Sequence, residues 1–381
     1  MKVINKLIAL LIFNLVFIIN LSAHYDPGAY NHDWGSDKPY TETSSNWMST
    51  IKDDVYLSQV AIPGTHDTAT GVDDNKHSDS CRTQPFQATI SHQLSSGVRI
   101  LDLRIYLDNG IVKLRHGDLT WGCGPYIELQ NVINEIEYFL DNTGAGETII
   151  IIVKHELDGG LSQDLITKTK DIIQKSKDII QKSKVYKNIN FQTAIDDDKK
   201  MGALRGKMIV FSRESEFNSL GSSWGTLGGN GRTQDNYHVT VNWDVTYKWG
   251  FIKEHYKKTT ANSTTNGAEF WFNYFNASGG SFPYFVASGH SSNGTGAARL
   301  STGCTTGIKS CNERYADFPK VNCFIGICTY AFESMQRLFI THYKSAVPSP
   351  KRTMGIIMLD FPGKEIIETI INDNKRLGLT K

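Results

Sequence analysis

The chain has 381 residues, of which 40% are hydrophobic and 11% aromatic, and its formal net charge is +1. The length suits one large domain or two ordinary ones, and the composition is that of a globular protein. A net charge so close to zero gives no electrostatic basis for binding nucleic acid, which excludes that class of function.

Residues 1–23 have the pattern of a secretory signal peptide. Lys2 and Lys6 precede the apolar run LIALLIFNLVFIINLSA, which ends in small residues. Such a segment is removed from the mature protein, and we place the cleavage after Ala23. An uncleaved membrane anchor is the alternative, although the run is short for a full span. The sequence therefore predicts a secreted, extracellular protein whose mature part is residues 24–381.

Strand-like segments follow a polar and aromatic lead-in at 24–50. The run at 147–156 is continuously apolar, which is typical of a strand buried on both faces. The first strand is expected to end on a tight turn at Pro63-Gly64. The predicted strands are LSQVAI (57–62), VRILDLRI (98–105), IVKLRH (111–116), ETIIIIVKHE (147–156), KMIVFSR (207–213) and GIIMLDFPG (355–363).

Helices are predicted between these strands, where apolar residues recur at spacings of three and four. The candidates are residues 126–142, 161–184, 330–344 and 364–376. The second candidate contains a direct duplication of DIIQKSK, which is too short for a coiled coil and indicates an amphipathic outer helix. Residues 218–236 and 259–270 are rich in glycine or polar side chains and are interpreted as surface loops.

The alternation of buried strands and helices predicts an α/β fold with a parallel sheet. Six or more such strands without an intervening linker favour a closed barrel over an open sheet. We therefore expect a single domain built as a (β/α) barrel.

Cysteines and sequons both agree with secretion. Six cysteines predict disulfides, and they allow 15 pairings among which the sequence does not choose. Because the last four are clustered, we expect a local knot across residues 304–328; a zinc site is the alternative, disfavoured by the lack of a CxxC spacing. Three sequons begin at Asn262, Asn276 and Asn293 and predict a glycoprotein. The cysteines are Cys81, Cys123, Cys304, Cys311, Cys323 and Cys328.

Charged or titratable residues stand at the C-terminal end of every predicted strand. Side chains two apart on a strand share a face, so Asp102 and Arg104 point the same way as Ile100. If those faces line a barrel, the polar groups converge at its C-terminal mouth, where barrel enzymes carry their active sites. Any one of these residues alone could have a purely structural role. The prediction of an active site therefore depends on their joint occurrence at the strand ends. They are His66, Asp67, Asp102, Arg104, His116, Lys154, Glu156, Arg213 and Asp360.

Two histidines and an arginine suit the cleavage of a phosphodiester by an internal hydroxyl without a metal. One histidine serves as general base and the other as general acid. A guanidinium neutralises the charge that develops on the phosphorus oxygens. A carboxylate fixes the tautomer of each imidazole, and Asp67 and Asp360 are available for that purpose.

Five motifs follow one another along the chain: IPGTHDTAT, LDLR, RHG, VKHE and GIIMLDFPG. In this order they resemble the X-domain of phosphatidylinositol-specific phospholipases C, in particular the secreted, bacterial-type, metal-independent branch. The resemblance spans about residue 55 to 363, and the first three motifs together are the specific ones. It implies an irregular TIM-like barrel that cleaves phosphatidylinositol, or glycosylphosphatidylinositol anchors, to diacylglycerol and a cyclic inositol phosphate.

By this resemblance, His66 matches the general base and Asp360 the carboxylate that orients it. His116 matches the general acid, assisted by Asp67, and Arg104 matches the arginine that contacts the phosphate. Calcium-dependent relatives have an acidic residue at the strand end where this chain has Arg104, which implies an enzyme without metal or other cofactor.

Headgroup-binding positions of the family match Lys154, Arg213 and Asp235, and Asp102 is counted with them. The bacterial branch has an aromatic residue two before the last aspartate, where this chain has Met358. The stacking surface under the sugar is then absent or supplied by another residue, with Trp121 and Tyr126 as candidates.

The expected partners are an inositol phospholipid and the surface of its membrane, bound peripherally. Trp224 in the glycine-rich loop is a candidate for insertion into lipid, with ordinary packing as its alternative. Two other functions stay open: the same barrel acting on a different phospholipid or a glycerophosphodiester, and a non-catalytic lipid-binding module. The sequence does not indicate the oligomeric state.

Overall fold

The computed structural model describes residues 45–72, 79–85, 88–117, 123–124, 126–157, 160–175, 184–229, 231–263, 267–290, 299–346 and 350–381. The predicted signal peptide, Trp121, Asn293 and most of the second DIIQKSK copy lie outside these residues. Within the described ranges, no helix is both long enough and apolar enough to cross a membrane.

The strands of the described part are mostly short. They are β1 (Ile62–Thr65), β2 (Ile100–Asp108), β3 (Ile111–Leu114), β4 (Ile127–Glu128), β5 (Thr148–His155), β6 (Lys207–Ser212), β7 (Ser222–Ser223), β8 (Thr233–Gln234), β9 (His238–Val239), β10 (Phe272–Tyr274), β11 (Ser278–Gly279), β12 (Ser301–Thr305), β13 (Lys320–Phe324), β14 (Ile327–Ala331) and β15 (Ile356–Leu359).

Helices connect many of these strands. They are α1 (Ile90–Ser95), α2 (Leu129–Asp141), α3 (Gln163–Gln174), α4 (Met201–Leu204), α5 (Trp224–Gly228), α6 (Val245–Asn262), α7 (Pro283–Ser288), α8 (Lys309–Arg314), α9 (Met335–Ser345) and α10 (Lys364–Arg376).

Eight parallel strands form one curled sheet in the order β7-β6-β5-β2-β1-β15-β10-β8. The first strand of the chain lies between the second and the last, with Ile62 opposite Ile356 and Gly64 opposite Ile100. The sheet ends at β7 and β8, which are joined by α5 and the glycine-rich segment after it. The prediction of an α/β, irregular TIM-like barrel is confirmed, but within the described residues no pairing joins β7 to β8, so the sheet is curled without the closure that we expected.

Two buried layers explain the continuous apolar run of β5. Ile150 and Ile152 belong to an inner cluster with side chains of the other parallel strands, such as Phe272. Ile151, next to them in the sequence, belongs to an outer cluster that includes Ile133 of α2. Because both faces of the strand are covered, no polar alternation is seen.

Several predicted elements are displaced or were missed. The first strand begins at Ile62, because residues 57–59 form a 3-10 turn, and Pro63 and Gly64 lie inside β1 instead of forming a turn. The segment 111–116 forms β3, which pairs antiparallel with β2 and is not a barrel strand. The segment 218–236 contains β7, α5 and β8, and α6 extends to Asn262 in the predicted polar loop.

The close approach of strands inside the barrel explains the glycine of β1. A β-carbon added to Gly64 would lie 2.5 Å from Sδ of Met358 and 2.9 Å from the β-carbon of Ile100. Any larger residue would therefore push β1 away from both of its neighbours.

Three disulfides are present in the described part. Cys304–Cys311 and Cys323–Cys328 are local, so the four clustered cysteines pair among themselves as expected, in two small loops around β12, β13 and β14. Cys81–Cys123 joins two segments beside the barrel mouth. The predicted use of all six cysteines in disulfides is confirmed.

Candidate active site

The predicted catalytic residues come together at the C-terminal mouth of the barrel. His66 and Asp67 follow β1 directly, and Asp360 follows β15, the strand paired with it. Asp102 and Arg104 lie within β2, which continues past the mouth and turns back as β3. This hairpin returns the chain to the level of Arg104, whose carbonyl accepts a hydrogen bond from the Arg115 amide, and so brings His116 to the mouth.

His66 is held by the last strand of the barrel. Its backbone amide donates to the Leu359 carbonyl at 3.0 Å, and Nδ1 lies 2.9 Å from Oδ1 of Asp360. With Nδ1 engaged by a carboxylate, Nε2 is the nitrogen that carries the lone pair in the neutral ring. Nη2 of Arg104 lies 2.7 Å from Nε2. The imidazole therefore presents the lone pair of Nε2 to the mouth.

Asp67 links the two histidines. Its backbone is left-handed, with φ of 43°, which turns the carboxylate into the mouth. Oδ2 lies 3.4 Å from Nε2 of His66 and 3.3 Å from Nε2 of His116. The second ring is fixed from its other side, since Nδ1 of His116 donates to the Cys81 carbonyl at 3.1 Å. Both imidazoles thus face one carboxylate oxygen.

Arg104 lies among carboxylates at the centre of the site. Nε is 2.5 Å from Oδ1 of Asp67 and 3.3 Å from Oδ2 of Asp102, and Nη1 is 3.1 Å from Oε2 of Glu156. Burial opposes its charge, but these carboxylates outweigh burial and hold the pKa of Arg104 well above its usual range. The guanidinium is a fixed positive charge beside His66.

Burial sets the protonation of the base and its partners. Burial, reinforced by the charge of Arg104, holds the pKa of His66 well below its usual range, so the ring is neutral at physiological pH. Burial raises the pKa of Asp67 to about 6, against the opposing effect of Arg104. Burial and the nearby Asp67 hold the pKa of Asp360 well above that of a free carboxyl.

One group of possible metal ligands lies in the described part of the mouth. Nitrogen and oxygen atoms of His66, Asp67 and Asp102 lie within 4.8 Å of one another. The guanidinium of Arg104 contacts all three side chains. Its charge and position are those a cation would take, so the residues present do not fit a metal as long as Arg104 stays in place.

The residues predicted to bind the headgroup occupy two places. Nζ of Lys154 lies 3.5 Å from Oε2 of Glu156, next to Arg104. Arg213 lies 3.6 Å from Asp235 and 4.1 Å from the ring centre of Trp224, and it donates to the Tyr274 hydroxyl at 3.3 Å. Asp235, which lies in the irregular part of the sequence, is therefore brought to Arg213.

Trp224 is not a lipid-inserting residue. Only 8% of it is exposed, and its ring lies 4.0 Å from that of Phe272 inside the barrel. Of the two aromatic candidates for a surface under the sugar, Trp121 lies outside the described residues. The Tyr126 hydroxyl donates to the Cys81 carbonyl at 2.9 Å, on the side of His116. Met358 is fully buried below the mouth.

Residues missed by the sequence analysis complete the mouth. Tyr274 lies opposite Met358 in the sheet, and its ring packs edge-on against His66 at 6.2 Å. Asn276 approaches the same histidine, although its sequon marked it as a glycosylation site. Its exposed fraction of 3% contradicts that assignment, because a glycan requires an exposed asparagine. The cluster of aromatic and amide residues in FNYFN is the sequence feature that could have indicated these two site residues.

A pocket of about 320 Å³ opens at the mouth next to His116. It lies between the Gly117 side of the mouth and residues 278–283, and Phe282 at its lip is 53% exposed. Of the predicted catalytic residues, His116 lines this cavity, whose volume is large enough for a phosphodiester and part of its substituents.

Comparison with known proteins finds relatives in sequence. No family model matches the chain. It is 27% identical over 195 residues to a 1-phosphatidylinositol phosphodiesterase of Staphylococcus aureus strain Newman, which is 49% of this chain and 56% of that protein. It is 30% identical over 137 residues to the 1-phosphatidylinositol phosphodiesterase of Listeria monocytogenes, covering 35% of this chain and 40% of that protein. The chain thus spans about half the length of these relatives.

Solved structures extend the similarity to most of the chain. The phosphatidylinositol-specific phospholipase C of Listeria monocytogenes matches with a TM-score of 0.57 at 20% identity, over 87% of this chain and 98% of that one. A structure of the Staphylococcus aureus phosphatidylinositol-specific phospholipase C matches with a TM-score of 0.55 at 17% identity, over 86% of this chain and 97% of that one. The subject of that structure is the modulation of membrane binding by the enzyme. The predicted fold and the predicted resemblance to the bacterial phosphatidylinositol-specific phospholipases C are confirmed.

Proposed function

We propose that this protein is a secreted phospholipase C that cleaves phosphatidylinositol, or glycosylphosphatidylinositol anchors, to diacylglycerol and a cyclic inositol phosphate. The observation that carries the proposal is the convergence of Nε2 of His66 and Nε2 of His116 on one oxygen of Asp67. Similarity to curated 1-phosphatidylinositol phosphodiesterases supports the substrate class.

His66 is the general base of the proposed reaction. Nε2 takes the proton from the inositol hydroxyl next to the phosphate, and the oxygen of that hydroxyl then attacks phosphorus. Asp360, 2.9 Å from Nδ1, stabilises the imidazolium that forms. A neutral ring is required before the proton transfer, and the lowered pKa of His66 supplies it.

His116 is the general acid. The bond between phosphorus and the glycerol oxygen breaks, and that oxygen takes a proton from Nε2 of His116. Asp67 stabilises the protonated ring from 3.3 Å, and the Cys81 carbonyl holds the other nitrogen. The pocket beside His116 has room for part of the diacylglycerol half, which supports this assignment.

Arg104 stabilises the pentavalent phosphorus during the reaction. Its guanidinium is fixed between Asp67, Asp102 and Glu156, so little reorganisation is needed when negative charge develops nearby. Because this internal cation occupies the centre of the site, we propose that the reaction needs no metal or other cofactor. The headgroup is expected to contact three residues around this centre, which are Lys154, Arg213 and Asp235.

A membrane surface is the proposed site of action. The substrate is a bilayer lipid, and the Staphylococcus aureus phospholipase C of similar fold is a membrane-binding protein. Phe282 is exposed at the lip of the pocket, where it can reach the acyl region when the mouth faces lipid. The signal-like segment at residues 1–23 supports secretion.

Turnover on lipid vesicles tests the proposal. Purified protein is incubated with phosphatidylinositol vesicles in excess chelator, with phosphatidylcholine and phosphatidylglycerol vesicles alongside. Release of diacylglycerol and cyclic inositol phosphate from phosphatidylinositol alone is the expected result. Turnover of another lipid with none of phosphatidylinositol would favour the second candidate, a different phosphodiester substrate, which Met358 at the position of the missing aromatic residue suggests. Inhibition by the chelator would contradict metal independence.

A further inference from the structure

Asn276 is a buried residue of the mouth that the proposed proton transfers leave without a role. It lies two residues beyond the end of β10, and only 3% of it is exposed. Nδ2 lies 3.4 Å from Nε2 of His66, the nitrogen that Arg104 also approaches. Asn276 therefore faces the atom at which the substrate hydroxyl would give up its proton.

The other amide atom of Asn276 lacks a hydrogen bond. Oδ1 is buried and has no hydrogen-bond partner among the described residues. Asn273, three residues earlier, provides the contrast. Its Oδ1 accepts from Nε2 of Gln234 at 2.8 Å, and its Nδ2 donates to the Ile252 carbonyl at 3.0 Å. Buried polar atoms of native proteins are nearly always paired, so the unpaired Oδ1, next to the predicted base, is available to a partner that binds from outside.

The chemistry of that atom limits what the partner is. A carboxamide oxygen only accepts hydrogen bonds, so its partner must carry an N–H or O–H group. The ionised oxygens of a phosphate have no proton to donate. The nearby donors of the protein are engaged, since Arg104 is bound by carboxylates and Nδ1 of His66 by Asp360. The hydroxyl-bearing part of a ligand is the group that satisfies Oδ1.

We propose that Asn276 is a specificity-determining residue that binds a hydroxyl adjacent to the attacking one, so that the site selects headgroups with vicinal hydroxyls. This inference rests on the proposed function. The attacking hydroxyl donates its proton to Nε2 of His66, while the neighbouring hydroxyl donates a hydrogen bond to Oδ1 of Asn276. Two contacts on adjacent carbons fix the rotation of the sugar about the bond to the phosphate. Asn276 itself takes part in no bond making or breaking.

Binding of two simple probes tests the contact. Calorimetry with myo-inositol, and separately with inorganic phosphate, is performed on the wild-type protein and variants with unchanged melting temperature. Asn276→Ala should weaken the binding of myo-inositol about tenfold, which is the effect of one lost neutral hydrogen bond. The affinity for phosphate should stay within about twofold of the wild-type value. Asn276→Asp keeps an acceptor oxygen at the same reach and should restore myo-inositol to within about threefold. Asn262→Ala, at an exposed asparagine, is the matched control.

Turnover of two soluble esters tests the selectivity. The nitrophenyl ester of inositol 1-phosphate has vicinal hydroxyls, whereas 2-hydroxypropyl nitrophenyl phosphate has only the attacking one. Asn276→Ala should lower kcat/KM about tenfold for the inositol ester and leave the hydroxypropyl ester within about twofold. Equal losses on both esters, or no loss on either, would overturn the inference. Absence of wild-type turnover on both esters would contradict the proposed function instead, and the calorimetry then decides the role of Asn276.

Discussion

Nδ1 of His66 lies 2.9 Å from Oδ1 of Asp360, although 294 residues separate them in the chain. The contact leaves Nε2 of His66 as the lone-pair nitrogen at the mouth. Because adjacent parallel strands carry the two residues, their distance is set by the backbone of the barrel and not by a mobile loop.

Replacing Asp360 by asparagine should remove the orientation and charge support of the base. We expect kcat on phosphatidylinositol vesicles to fall roughly 10²- to 10⁴-fold, as for other losses of general base catalysis. The kcat of His66→Ala should fall at least as far. Thermal melting of both variants provides the folding control. A folded variant at each position with more than a tenth of wild-type activity would contradict the assignment of the base.

The loss of activity caused by His116→Ala should depend on the leaving group of the substrate. Diacylglycerol oxygen needs a proton to leave, whereas nitrophenolate does not, because its conjugate acid is far stronger. The variant should therefore lose roughly 10²-fold or more on phosphatidylinositol and less than about tenfold on the nitrophenyl ester of inositol 1-phosphate. Parallel assays with His66→Ala, which should lose activity on both substrates, separate the acid from the base. Equal losses for His116→Ala on the two substrates would rule out a general acid at this position.

Asp67 should impose an acid limit on activity. The carboxylate must be ionised to stabilise protonated His116, and burial raises the pKa of Asp67 to about 6. The ionised form is lost as pH falls through that value, so kcat/KM should decline below about pH 6, approaching tenfold per unit. Asp67→Asn should have a lower and flatter profile across pH 5–7. A wild-type profile that is flat down to pH 5 would show that ionisation of Asp67 is not required.

Lys248 of α6 should make stability depend on pH. It is 1% exposed, its Nζ donates to the Asn236 carbonyl at 2.9 Å, and burial lowers the pKa to about 7. Between that value and the ordinary lysine pKa, the unfolded chain binds more protons than the native one, so this residue makes the native state more stable as pH rises. The free energy of unfolding should gain about 2 kcal/mol from Lys248 between pH 7 and 9.

Urea unfolding of the wild-type protein and Lys248→Met at the two pH values measures this contribution. The variant should lack the gain that the wild type shows. The same pH dependence in both proteins would indicate that Lys248 stays protonated in the native state.

The disulfide Cys81–Cys123 should matter for activity more than the other two. The Cys81 carbonyl accepts from Nδ1 of His116 and from the Tyr126 hydroxyl, so the crosslink positions the proposed acid. Replacing both cysteines by alanine should lower kcat more than tenfold at a temperature where the variant is folded. The matched variant, alanine at Cys323 and Cys328, should retain activity within about twofold. A similar loss in both variants would indicate a general effect of stability.

Glycosylation should be absent at Asn276. Its side chain is buried against His66, so transferase access requires the mouth to be unfolded. Ser278→Ala, which destroys the sequon and keeps the asparagine, should leave the mass of the protein secreted from a eukaryotic host unchanged. Asn262, exposed at the end of α6, is the positive comparison, and its substitution should remove a glycan if that sequon is used. A glycopeptide containing Asn276 from active protein would contradict its burial.

The proposed catalytic residues could be predicted because they stand at the ends of strands with strong apolar patterns. His66, Arg104 and Asp360 all follow or interrupt such runs, and parallel strands of a barrel bring their ends together. The position of His116 was predicted for the wrong reason, because β3 is a hairpin partner of β2 and not a barrel strand.

The secondary structure in the middle of the chain could not be predicted from the spacing of its apolar residues. β10 has three residues and β8 two, which is too short for any period to be seen. Helix α6 mixes polar and apolar side chains on both faces, since Lys248 and His255 are buried beside apolar residues while Tyr247 and Phe251 are exposed. Tyr274 and Asn276 come from this region, and their place in the mouth depends on neighbours that are distant in sequence.

The pairing of β1 with β15 makes the proposed activity depend on the synthesis of the last strand of the sheet. A ribosome that has made every proposed catalytic residue from His66 to His116 has still not made Asp360 or the strand that bears it. The proposed base is therefore assembled only when the last barrel strand docks between β1 and β10. Contacts across so long a sequence distance form late and slowly. A partly synthesised chain that lacks β15 therefore lacks the carboxyl group that contacts Nδ1 of His66, and with it the complete form of the proposed active site.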